Sequence, residues 1–195
     1  MFTPYETRAA ISPSIHQLMA HVGTPLPSLD DLALCRERVH AAKDGAATRF
    51  AAAARQSSSI HAFRPNFTAD DWRLFASYCV TTRLPAGFRA VVPGNGDRTL
   101  RFVVEGGLSV RSPDGQTTLL APGSMQGEDS LFSTDGSDLD VRAFEDTLVL
   151  ELTLPRRKEF DAACPALAFE LLRAAGAAIA ARGRIGVEHE ELAAN

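Results

Sequence analysis

Between Met125 and Asp146 the chain sets seven carboxylates (Glu128, Asp129, Asp135, Asp138, Asp140, Glu145 and Asp146) against one base, Arg142, a local balance of minus six. Paired acids of this kind can serve as a general acid and base, and a cluster of them repels an anion. Nothing beside them supplies a nucleophile or a cofactor loop. The chain has no G-x-S-x-G elbow, no P-loop and no G-x-G-x-x-G, and Gly94-Asn95-Gly96-Asp97 reads as a hairpin turn between strands. The histidines His16, His21, His40, His61 and His189 form no HExxH pair, and none lies between Phe63 and Glu188. Glu188-His189-Glu190-Glu191 reads as a solvated acidic tail rather than a metal site. Cys35, Cys79 and Cys164 are odd in number and far apart, as expected of reduced, buried thiols. These residues predict neither catalysis nor a resident metal or cofactor.

The elements around the acidic segment are legible from periodicity and turn residues. Pro4, Pro13, Pro25 and Pro27 interrupt the first stretch, in which Ile15–Val22 could form a short helix. Ser28-Leu29-Asp30-Asp31 is a capping-box-like start, and Leu29, Leu32, Val39, Ala42, Ala46 and Phe50 recur at helical steps, predicting a helix that ends near Arg55. Its apolar stripe could pack on the rest of the chain. Its basic side (Arg36, Arg38, Lys43, Arg49, Arg55) could instead meet an acidic partner, in which case a chain starting near Phe63 should fold without it. Thr68-Ala69-Asp70-Asp71 caps a second helix carrying Trp72, Leu74, Phe75 and Tyr78.

Short strands are expected from Val80 to Leu154, punctuated by Pro85-Ala86-Gly87, Pro93 to Asp97, Pro113-Asp114-Gly115, Pro122-Gly123 and Asp135-Gly136. Many short strands between Gly/Pro turns predict a sandwich or jelly roll. Leu100, Phe102 and Val104 alternate as one half-buried strand, and Leu148, Leu150, Leu152 and Leu154 share an inward face. A short helix starts at Pro155, and Pro165 opens a last long helix.

Several motifs occur in a telling order. Leu84-Pro85-Ala86-Gly87-Phe88, Leu100-Arg101-Phe102-Val103-Val104-Glu105-Gly106, the tight turn Ser112 to Gln116, the stretch Gly127-Glu128 with Leu131-Phe132, and the closing segment Phe144–Phe160 with Cys164-Pro165 together resemble the cyclic nucleotide-binding domain family, the effector domain of catabolite activator protein-like regulators. The resemblance covers roughly residues 70 to 182. It implies a mainly β fold, a jelly-roll barrel with flanking helices, here with an N-terminal helical extension (1–65), the domain itself (66–184) with its long C-terminal helix, and an acidic tail (185–195). It also implies a ligand site at Gly127, Glu128, Asp129, Ser130, Ser137 and Asp138, in which the glycine amide approaches phosphate or ribose and the glutamate accepts from a ribose hydroxyl.

The family places a phosphate-binding arginine before the next strand. That position falls here on Ser137 or Asp138. A charge-assisted hydrogen bond contributes about 1.5–3 kcal/mol, so its loss weakens cyclic nucleotide binding on the order of ten- to a hundred-fold before acidic repulsion is added. The family's C-terminal helix pairs two subunits, which implies a homodimer through Leu171, Leu172, Ala175 and Ile179, intramolecular packing of that stripe being the alternative. The residues after Gly183 are too few for a helix-turn-helix domain, so no direct DNA binding is expected.

Composition agrees. The 195 residues, 45% hydrophobic, suit one domain plus an extension, and a net charge of −4 with only two lysines, Lys43 and Lys158, argues against a nucleic-acid surface. Met1 to Met19 lacks a secretory pattern and no run approaches the roughly 18 apolar residues of a membrane span, so a cytoplasmic protein is expected. Two functions follow. One is a non-enzymatic regulatory or interaction module that has lost high-affinity cyclic nucleotide binding and works through a protein partner. The other is a sensor that binds a cyclic nucleotide or another small molecule and signals to a partner.

Overall fold

In the computed structural model, residues 29–94, 98–132 and 137–193 are described. The helix expected at Ile15–Val22 and the turn residues 95–97 and 135–136 lie outside them, as do the side chains of Cys35, Arg36, Arg38 and Ser130. Among the described residues four helices, α1 (Leu29–Gln56), α2 (Ala69–Tyr78), α3 (Leu154–Ala163) and α4 (Pro165–Ala193), flank eight strands. The strands are β1 (Val80–Leu84), β2 (Arg89–Val91), β3 (Leu100–Glu105), β4 (Leu108–Arg111), β5 (Thr117–Leu120), β6 (Met125–Gln126), β7 (Asp140–Ala143) and β8 (Thr147–Leu152). They form two antiparallel four-stranded sheets, in the orders β1-β8-β3-β6 and β2-β7-β4-β5, an open jelly roll rather than a closed barrel.

The inner strands of the first sheet, β3 and β8, are buried on both faces. The half-buried strand expected at Leu100–Glu105 is instead covered on each side, because even and odd positions face different layers. Leu100, Phe102, Val104, Leu148, Leu150 and Leu152 meet the helices, while Val103 and Val149 meet Leu108, Leu120, Val141 and Ala143 of the second sheet. Leu154 leaves the expected strand face and starts α3. Arg101, on the inter-sheet side, is buried but compensated by Glu151 at 3.1 Å and by Gln126 Oε1 at 3.2 Å.

The helix-side core is aromatic. Phe50 of α1 packs edge-on to Trp72 and Phe102 with centroids 5.4 and 5.6 Å apart, and Phe75 does the same with Phe102 and Phe160 at 5.2 and 5.6 Å. Trp72 is thus a core residue. Thr68 and Asp71 close the capping box expected for α2, the Asp71 N–H donating to Thr68 Oγ1 at 3.2 Å and the Thr68 N–H to Asp71 Oδ2 at 2.8 Å.

Helix α1 packs on the sheet. Ala46, Ala47, Phe50, Ala51 and Ala54 are all buried in this core, within the compact unit 38–195. The alanines let the helix approach closely, and Gly123 completes the fit. Its φ is +87°, and a Cβ there would sit 2.5 Å from the Ala54 backbone nitrogen. Helix α4 continues to Ala193, through the segment expected as an acidic tail.

Candidate functional site

A cavity of about 380 Å³ opens at one end of the sandwich, within the size range of small-molecule sites. Val110, Leu120, Met125, Leu139 and Ile179 form its apolar wall, and Ser112, Thr118, Gln126, Glu128, Asp129, His61 and Arg182 supply polar groups. Strands β4, β5 and β6 place Val110, Thr118, Leu120, Met125 and Gln126 in this lining. The turn after β6 completes it: Gly127 takes φ +91° and lies so near the Thr99 carbonyl that a Cβ would come within 2.4 Å. Only a glycine lets the chain turn there into the 3-10 helix Glu128–Leu131.

Glu128 is 6% exposed, and its carboxylate is ion-paired with the guanidinium of Arg182 from α4. Arg182 Nη1 also lies 3.3 Å from His61 Nδ1, so one side chain of the C-terminal helix bridges the cavity wall and the segment that follows α1. Burial lifts the Glu128 carboxyl above its ordinary value, with the Arg182 charge pulling against that rise. Burial first, and the Arg182 charge second, hold His61 below 6.5, which favours its neutral form.

A pH dependence follows. Because the folded His61 binds a proton less readily than the unfolded one, its contribution is full above about 6.5 and is lost as pH falls from there through the folded value. Glu128 acts oppositely at lower pH, between its raised value and 4.5. Thermal melts should therefore show wild type losing stability below pH 6.5 faster than His61→Gln. Parallel pH profiles would contradict this account of His61.

Among the residues expected from sequence, Gly127, Glu128 and Asp129 line the cavity. Ser130 lies in the 3-10 helix. Ser137 and Asp138 sit on the segment entering β7, outside the lining; the Ser137 carbonyl accepts from Gly94 N–H at 2.9 Å, and Asp138 is exposed. Of the four α4 residues expected to pair subunits, Leu171 and Ala175 are fully buried in the domain's own core, Ile179 lines the cavity, and Leu172 is on the surface beside exposed Phe169. Leu171 and Ala175 thus belong to the helix face that packs inward, and the outward face carries Leu172 and Phe169.

Arg182, His61 and Gln126 were not singled out from sequence. The missed signal for Arg182 is its position: it continues the inward stripe Ala168, Leu171, Ala175 and Ala178 at helical spacing, where a charged residue needs a partner. Among the described residues no group of three potential metal ligands occurs, and no helix is long and apolar enough to cross a membrane.

No family model and no curated protein sequence matches the chain. Solved structures do. A cyclic nucleotide-binding domain from Methylobacillus flagellatus aligns with a TM-score of 0.64 at 18% identity over 75% of this chain and 83% of that one. The catabolite activator protein of Thermus thermophilus aligns at 0.55 and 25% identity over 66% of this chain and 61% of its own, and the N-terminal domain of a transcriptional regulator from Streptomyces coelicolor at 0.51 and 24% over 66% and 95%. The domain has the cyclic nucleotide-binding fold.

Proposed function

We propose that the chain is a non-enzymatic regulatory module whose sandwich cavity takes a small, uncharged molecule in place of a cyclic nucleotide and passes its occupancy to α4 and on to a partner protein. The observation that carries this reading is the Glu128–Arg182 pair. Arg182 is the lining's one arginine among the described residues, and it is committed to the glutamate that the family resemblance assigns to ribose. With Asp129 added and His61 held neutral, the lining has a net negative charge, which disfavours a phosphate. The apolar wall and the hydroxyls of Ser112 and Thr118 suit an uncharged ligand. A ligand that hydrogen-bonds Glu128 competes with Arg182, so filling the cavity and the seating of α4 share one interaction.

Calorimetric titration with cyclic AMP, cyclic GMP and adenosine tests this. Both cyclic nucleotides should bind with Kd weaker than about 10 μM, roughly 7 kcal/mol, and adenosine, without the phosphate, should bind at least as well. Cyclic AMP binding that is tighter than 10 μM and tighter than adenosine would overturn the reading.

A further inference from the structure

A second depression lies apart from the sandwich cavity, between α1 and the edge strand β1. It encloses about 630 Å³ and is lined by Lys43 and Arg49 of α1, Thr81 and Arg83 of β1, and Leu148 of β8. Arg49 pairs with Glu105 at 3.0 Å, a half-exposed contact. Among the described residues, Lys43 and Arg83 make no ion pair. Lys43 Nζ reaches only the Ser77 carbonyl, at 3.5 Å. The Thr81 hydroxyl is buried without a hydrogen-bond partner. Three cations against one acid stand out on a chain of net charge −4.

The backbone adds a second observation. β1 pairs with β8 along one side, and among the described residues no strand pairs with its other edge. Such an edge presents a row of backbone donors and acceptors to any extended chain beside it. Register divides its side chains by face. Thr81 and Arg83 oppose Leu150 and Leu148 on the face that α1 covers, while Val80, half exposed and also lining the depression, and Thr82, bonded to Glu151, alternate with them along the strand.

We propose that this groove docks an extended acidic segment of a partner protein, added as a further strand along β1. Every second side chain of that segment, an acid, enters the groove towards Lys43 and Arg83, and the alternate ones, apolar, lie beside Val80. Charge selects the partner and the free edge fixes its conformation. A small anion would use the cations and leave the edge unused. This surface is separate from the sandwich cavity and stands whether or not that cavity takes a ligand.

The test is fluorescence anisotropy of a short labelled peptide alternating glutamate and valine, titrated with the full chain at low ionic strength. Saturable binding is expected, weakened roughly tenfold or more by Lys43→Glu with Arg83→Glu, since reversal both removes the attraction and adds repulsion. Lys43→Gln with Arg83→Gln should shift it in the same direction by less, with an unchanged circular dichroism spectrum. The same peptide with alternate backbone amides methylated keeps its charge but cannot pair as a strand, and should not bind. Absence of peptide binding, equal binding of the methylated peptide, insensitivity to both double variants, or displacement of the peptide by oligothymidylate would each overturn the proposal.

Discussion

A chain starting at Phe63 should not fold, although its sequence contains every strand of the two sheets. Without α1 the first sheet loses the cover of Ala46, Ala47, Phe50, Ala51 and Ala54, and Phe63, Trp72 and Phe102 face water where the Phe50 ring was. Of the two expectations for this helix, the buried alanines favour packing on the rest of the chain over a dispensable partner contact; resemblance to a family locates the shared elements but not which added element completes the core. In the full chain, Phe50→Ala should cost about 3–5 kcal/mol, a large share of the roughly 5–15 kcal/mol that typically holds a domain folded. Urea unfolding followed by circular dichroism measures it. A loss under about 1 kcal/mol, or a cooperative transition in the chain that starts at Phe63, would show that α1 is an appendage.

Removing Arg182 should produce the other large effect. Arg182→Ala leaves the buried Glu128 carboxylate without its counter-charge; breaking a buried pair costs about 3–5 kcal/mol, and partial exposure of Arg182 places the expectation near the lower end. The sign of the rescue is the decisive part. Glu128→Gln removes the charge that needs compensation, so the double variant Arg182→Ala with Glu128→Gln should recover most of the loss and resemble Glu128→Gln alone. An Arg182→Ala protein as stable as wild type, or one that the second change fails to rescue, would mean that the two side chains are not energetically coupled. Hydrogen exchange offers a second readout, since loosening of α4 near Ile179 should accompany the single variant and not the double one.

Much of the molecule is written locally. The Thr68/Asp71 capping box, the helical spacing from Ala42 to Phe50 and the glycines at turns act over a few residues, so α1, α2 and the positive-φ turn at Gly123 could be read directly. The order of those motifs also indicated the jelly roll and brought Gly127, Glu128 and Asp129 forward as site residues. Other readings needed to know what covers each face. Alternation in β3 shows that neighbouring residues point opposite ways, but it does not reveal that helices cover one side and a second sheet the other, so a strand buried on both faces looked half-buried. The stripe on α4 is equally visible whether it meets a second subunit or its own domain, and only packing assigns Leu171 and Ala175 inward. The charge balance of the acidic segment was counted over consecutive residues, whereas electrostatic interaction depends on distance in space. The sequence by itself therefore determined the elements, their caps and the carboxylate at the cavity wall; the tertiary structure decided that the compensating cation comes from Arg182, 54 positions along the chain, because only folding brings the middle of α4 to the turn after β6.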